Sequence, residues 1–115
     1  MRKVYYLSTC DTCKRILNGL NLEGFEKQDI KTQPITVEQV EQMRNLSGSY
    51  ESLFSKIARK YRALGLNEKE LAEEEMKNYI LEEYTFLKRP VFIIDDQIFI
   101  GNSKKTVEEV NQAIG

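Results

Sequence analysis

Val4-Tyr5-Tyr6-Leu7-Ser8-Thr9-Cys10-Asp11-Thr12-Cys13-Lys14-Arg15-Ile16-Leu17 is the stretch on which the fold turns. Lys3 to Leu7 reads as a short buried strand, and Asp11 to Leu22 carries Ile16, Leu17 and Leu20 at helical spacing. A strand therefore feeds a helix through the loop that holds both cysteines of the chain. Gly24 marks the next turn, and Phe25 to Ile30 reads as a second short strand. Because a helix separates the two strands, the unit is expected to be a parallel βαβ.

Working outward, Gln33-Pro34 closes this unit, and Thr36 with Gln39 three residues later forms a capping box that opens a helix through about Leu46. Val37, Val40 and Met43 are expected on its inner face. After the loop Ser47-Gly48-Ser49, the residues Leu53, Phe54, Ile57, Ala58, Tyr61 and Leu64 recur at helical spacing up to Gly65, predicting an amphipathic helix. Asn67 and Glu70 predict another capping box, with Leu71, Ala72, Met76, Tyr79 and Ile80 lining a helix to about Glu82. Residues 36–82 are thus expected to be all helical. Beyond Pro90, Val91-Phe92-Ile93-Ile94, the turn Asp95-Asp96-Gln97 and Ile98-Phe99-Ile100 predict a β-hairpin. Asn102 or Ser103 then caps a last helix with Val107, Val110 and Ile114 inward. The order is βαβ, a helical insertion at about 36–82, then ββα, so an α/β fold with a central mixed sheet is expected, its first half the start of a thioredoxin-like fold. We expect one domain over residues 1–115.

Cys10 and Cys13 are the only cysteines, and the chain has no histidine. A tetrahedral zinc site needs about four Cys, His or carboxylate ligands, and no second thiol pair exists. Ser/His/Asp and Cys/His catalysis both need an imidazole base, so any nucleophile here is activated otherwise. A helix N-terminus supplies such activation through its unsatisfied N–H groups and the positive end of its dipole. In that setting a thiol pKa falls from about 8.5 into a range of roughly 3.5–7.5. Cys10 is accordingly the expected attacking sulfur. Cys13, one turn along, can attack an adduct on Cys10 and leave an intramolecular disulfide, which makes it the resolving thiol. Lys14 and Arg15 add positive charge nearby and Asp11 a negative one, and the sequence leaves their balance open. The bland alternative, two incidental thiols, fits the spacing and the strand-to-helix setting less well.

Composition narrows the remaining classes. The chain has 115 residues, 41% of them hydrophobic, enough for one core. With 17 basic and 18 acidic residues its net charge is −1, which predicts neither direct nucleic-acid binding nor attraction to an anionic membrane. No apolar stretch approaches the ~20 residues of a membrane span, and Met1-Arg2-Lys3 opens no signal-peptide pattern. A cytoplasmic protein is expected. In a reducing compartment a cysteine pair is catalytic or sensory rather than a structural staple.

Tyr6-Leu7-Ser8-Thr9-Cys10-Asp11-Thr12-Cys13-Lys14, followed far downstream by Leu87-Lys88-Arg89-Pro90-Val91, resembles the glutaredoxin-coupled arsenate reductase (ArsC) family and its relatives, the Spx transcription regulators. The resemblance spans nearly the whole chain. It implies a cis Pro90 beside the cysteine loop and Arg89 facing Cys10. A guanidinium there can hold an oxyanion by paired hydrogen bonds and stabilise a thiolate. Thr12 and Lys14 of the loop join Arg89 as candidate substrate-binding residues. The resemblance also implies two further arginines in enzymes that reduce arsenate, but this chain has Ser55 and Gly101 at the corresponding places. Lys56, Arg59, Lys60 and Arg62 are the candidates for replacement charge. The implied co-substrate is a thiol reductant, glutathione with glutaredoxin or a thioredoxin-type protein, with no bound cofactor. The alternative is an Spx-like redox sensor that binds the α subunit of RNA polymerase. Cys-x-x-Cys favours it, whereas Gly48, near a glycine with which Spx touches polymerase, reads first as a loop residue needing positive φ. The sequence ending at Gly115, where Spx proteins carry a further tail, disfavours it.

Overall fold

In the computed structural model, which describes residues 1–115, the first strand, β1, spans Arg2–Tyr6 with Val4 and Tyr5 buried. The cysteine loop follows and leads into helix α1, Asp11–Asn18. This helix is shorter than its apolar pattern predicted. Gly19 follows it, its N–H bonded to the carbonyls of Arg15 and Ile16, and Leu20 closes a tighter turn on Leu17. Glycine resists helix continuation because it loses the most backbone freedom there. Leu22, expected in the helix, is still buried.

Strand β2, Glu26–Asp29, runs parallel to β1 with Tyr6 opposite Asp29, as the βαβ reading requires. On the other side of β1 lies β3, Val91–Ile94, antiparallel, with Tyr5 opposite Val91. A tight turn at Asp95 and Asp96 joins β3 to β4, Gln97–Ile100, completing the predicted hairpin. Asp95 has a φ of 56°, a left-handed conformation that aspartate tolerates better than most residues. The sheet order is β2-β1-β3-β4, so the sheet is mixed and the protein is α/β. Helix α5, Lys104–Ile114, is capped by the Ser103 hydroxyl, which accepts the Thr106 N–H at 3.1 Å.

Val4, Phe92 and Ile94 of the sheet pack with Ile16, Leu22 and Val110 into one apolar cluster. Phe25 meets Phe92 edge to face with ring centroids 6.5 Å apart. Residues 1–34 and 89–115 form the compact unit that contains this core and the whole sheet.

Residues 35–88 form a second compact unit. Its helix α2, Val37–Ser47, begins at the predicted capping box: the Thr36 hydroxyl accepts the Gln39 N–H, and the Gln39 side chain accepts the Thr36 N–H, both at 3.1 Å. Val40 and Met43 are buried, but Val37 is exposed rather than inward. Gly48 ends the helix with a φ of 98°, a conformation glycine adopts without penalty.

The continuous helix predicted from Leu53 to Leu64 does not form. Glu51–Leu53 is a single 3₁₀ turn, Phe54 is extended, and only Arg59–Ala63, helix α3, is α-helical. The backbone takes other partners: the Ser55 N–H donates to the Phe86 carbonyl at 2.7 Å and the Lys88 N–H to the Leu53 carbonyl at 2.8 Å. Phe54 stacks on Phe86 with centroids 5.2 Å apart, and Tyr61 and Tyr79 complete the ring cluster. Ile57, expected inward, is 94% exposed. Asn67 and Glu70 also form no cap. Helix α4 is Glu73–Glu82, and the Glu75 carboxylate accepts the Ala72 N–H at 3.1 Å; Ala72 has no side-chain acceptor to return the bond. Residues 36–82 are therefore helical only in pieces. No helix is long and apolar enough to cross a membrane.

Candidate active site

β1 delivers the chain into a turn closed by the Cys10 N–H bonding the Leu7 carbonyl at 3.0 Å. Cys10 then occupies the N-cap of α1 with extended φ and ψ of −96° and 111°, and its carbonyl accepts the Lys14 N–H at 3.1 Å. An N-cap side chain stands over the first-turn N–H groups. The Cys10 sulfur makes no capping hydrogen bond, but the N–H groups of Cys13 and Thr12 favour charge on it.

Both cysteines are free thiols, Cys10 half-buried and Cys13 fully buried. Their acidities are displaced in opposite directions. For Cys10, partial burial works against ionisation. It is outweighed by the Cys13 N–H, the Cys13 thiol as hydrogen-bond donor, the charge of Arg89 and the Thr12 N–H, which together hold the Cys10 thiol below its ordinary value. For Cys13, burial dominates and proximity of the Cys10 sulfur adds to it. Against the Leu7 N–H and Arg89, these push the thiol up to about 11. One sulfur is thus disposed to be a thiolate and its neighbour to remain a proton donor to it.

Arg89 comes to the site through sheet register. Tyr5 pairs with Val91 across β1 and β3, so the residues following Tyr5 and those preceding Val91 run toward the same end. The half-buried Arg89 acts on both sulfurs from there. The Arg89-Pro90 peptide is cis, as the sequence resemblance implied. Thr12 reaches the site through its backbone N–H, whereas Lys14 is exposed on the first turn. No cluster of three or more His, Cys, Asp or Glu side chains suited to a metal ion occurs.

Ser55 is buried in the second unit and its N–H is used by Phe86. Gly101 donates its N–H to the Pro90 carbonyl at 3.0 Å with a φ of 98°, a backbone conformation that disfavours arginine there. Lys56, Arg59, Lys60 and Arg62 are exposed, and Lys60 is engaged by Glu83 at 2.6 Å.

Sequence reasoning missed Asp29. At the end of β2, its carboxylate accepts the Ser8 hydroxyl at 2.5 Å, the Ser8 N–H at 3.2 Å and the Lys31 N–H at 3.2 Å. Partial burial raises its pKa, but the Ser8 and Lys31 bonds outweigh that and hold the carboxyl below its ordinary value. The only signal in the sequence was a serine two residues ahead of Cys10.

The curated proteins include none that matches this sequence. Among solved structures, SACOL0876 from Staphylococcus aureus is similar at 27% identity and a TM-score of 0.75, over 95% of this chain and 97% of that one. A Streptococcus mutans protein described as a possible arsenate reductase is 25% identical with a TM-score of 0.74, over 96% and 97%. An arsenate reductase from Vibrio cholerae shares the fold at 19% identity and a TM-score of 0.74, over 95% and 96%. The ArsC family model matches residues 5–110, from the first strand through most of the last helix, and the chain belongs to the ArsC family.

Proposed function

We propose that the chain is an arsenate-reductase-like thiol oxidoreductase in which Cys10 attacks an oxyanion or a thiol adduct and Cys13 resolves the product. The observation that carries this reading is the placement of two free thiols at the start of α1, half-buried Cys10 at the N-cap and fully buried Cys13 one turn on, with Arg89 and the mouth of α1 favouring charge on Cys10. With a disulfide substrate, the Cys10 thiolate bonds one sulfur and the other leaves as thiolate. Cys13 then loses its proton, bonds the Cys10 sulfur and expels the second thiolate. The substrate gains two electrons and the protein becomes the Cys10–Cys13 disulfide. With an oxyanion such as arsenate, Cys10 displaces one oxygen as water. Attack of Cys13 on the Cys10 sulfur then returns the sulfur–arsenic electron pair to arsenic, which leaves as arsenite.

Arg89 binds the negative charge of the incoming group, and the Thr12 N–H adds a donor at the same place. The cycle closes when a thiol reductant, glutaredoxin with glutathione or a thioredoxin-type protein, reduces the disulfide in a reducing compartment such as the cytoplasm. The family match, and a structural relative at 25% identity described as a possible arsenate reductase, support this class of chemistry.

The test is to trap the adduct. Cys13→Ser is expected to accumulate a covalent adduct on Cys10 with arsenate or with a mixed disulfide, detected by mass, while Cys10→Ser neither forms it nor turns over. Reduction that persists undiminished in Cys10→Ser ends the reading. If the oxidised or reduced protein retains the C-terminal domain of the polymerase α chain while no adduct forms, the pair is a sensor instead.

A further inference from the structure

We infer that Asp29 is a positioning residue for the Cys10 loop, a role that rests on the reading of Cys10 as the nucleophile. The turn that presents Cys10 is Leu7-Ser8-Thr9-Cys10, closed by the Cys10 N–H on the Leu7 carbonyl. One bond across a four-residue turn fixes its ends but not its tilt. The second restraint comes from outside the turn. Asp29 grips Ser8 by two groups at once, the hydroxyl on Oδ2 at 2.5 Å and the N–H on Oδ1 at 3.2 Å.

Asp29 is itself held. It pairs with Tyr6 in the parallel ladder, the following Ile30 N–H donates to the Tyr6 carbonyl at 2.9 Å, and the Lys31 N–H donates to Oδ1. A carboxylate fixed to the rim of the sheet and bound twice to one residue of a turn sets the orientation of that turn. Ser8 stands two residues before the sulfur. The favourable setting of Cys10 depends on its place at the N-cap of α1, beside the free N–H groups of the first turn, a placement that a rotated turn would lose.

Charge and geometry make opposite predictions here, which makes the role testable. Removing a nearby negative charge by itself makes a thiol more acidic. Loss of positioning makes Cys10 less acidic. The experiment follows the rate of Cys10 alkylation by iodoacetamide against pH, read by mass spectrometry, in wild type, Asp29→Asn and Ser8→Ala, with thermal melts alongside. Both variants are expected to shift the Cys10 midpoint upward by about 0.5–1 pH unit, a roughly three- to tenfold slower reaction at pH values below both midpoints. An Asp29→Asn midpoint that is unchanged or lower overturns the proposal. Ser8→Ala alters no charge and removes only the hydroxyl, so it decides the matter should Asp29→Asn not fold; an unchanged midpoint there also overturns it. The readout needs no substrate. A protein that turns over nothing but shows the shift refutes the enzymatic reading and leaves the positioning of Cys10 intact.

Discussion

Alkylation at neutral pH should distinguish the two cysteines sharply. A thiol reacts with iodoacetamide as thiolate, so the rate at each sulfur follows its ionised fraction. With Cys13 pushed up to about 11, its thiolate fraction at pH 7 is about one in ten thousand. Cys10 lies below the ordinary 9.0, which puts its fraction above about one in a hundred. Ionisation alone therefore favours Cys10 by at least about 100-fold, and the full burial of Cys13 adds to the preference. The assay is a short iodoacetamide pulse on reduced protein across pH 5–10, quenched and read by peptide mass spectrometry. Burial alone would lower the Cys13 rate at every pH, whereas a displaced acidity moves the midpoint. The signs follow from the shifts: the Cys10 curve lies at lower pH than an ordinary thiol's, the Cys13 curve at higher pH. Cys10→Ser should lower the Cys13 midpoint, because the hydrogen bond and the charge of Cys10 both raise it. Comparable labelling of the two sulfurs at pH 7, or a Cys10 midpoint at or above 9, would refute the reasoning.

Arg89→Ala should raise the midpoints of both cysteines, since its charge lowers both, while Arg89→Lys keeps the charge and most of the effect on thiol acidity; the same curves check this. Phe92→Ala removes a fully buried ring from the core around Val4, Ile16 and Val110 and should cost about 3–5 kcal/mol in urea unfolding, against a negligible loss were the ring peripheral. Thr36→Ala deletes half of the capping box of α2 and should cost about 1 kcal/mol by the same measurement. Ile57→Ala should stay within about 0.5 kcal/mol of wild type, because that side chain is almost wholly in solvent; a large loss would show that the turn before α3 buries it instead.

Local patterns carried the sheet unit well. An apolar run before Asp11, a Gly-punctuated return and a hairpin around Asp95 each state their conformation within a few residues, and the Ser103 cap needs only its own hydroxyl. The stretch from Leu53 to Leu64 failed for the opposite reason. Its apolar spacing suits a helix, yet its backbone bonds residues 86–88 and its Phe54 stacks on Phe86. Periodicity reports which residues are apolar, and two segments thirty residues apart can bury them in extended conformation as well. Asn67 failed similarly: a good capping residue was passed over for Ala72, whose N–H is met by Glu75.

The candidate site divides along the same line. Cys10 and Cys13 announce themselves because they are close in sequence, and their setting follows from a strand meeting a helix. Arg89 and Asp29 lie far along the chain, and what brings them in is the position of β1 at the centre of the sheet. Its neighbours are β2 on one side and β3 on the other, so the end of β1 that leads to the cysteines receives the last residue of β2 and the residues just before β3. The loop after a central strand thus has an acidic group on one flank and a basic one on the other. The two charges do different work. Asp29 directs its field at the N–H and O–H of Ser8 and fixes the turn. Arg89 favours ionisation of both sulfurs, and the ion settles on Cys10 because Cys13 is the more deeply buried and Cys10 has the helix N–H groups. Selection of Cys10 over Cys13 therefore comes from the deeper burial of Cys13 together with the N–H groups at the helix mouth, while Arg89 sets how readily either ionises. Replacing Arg89 should shift both titrations in the same direction and leave their order unchanged.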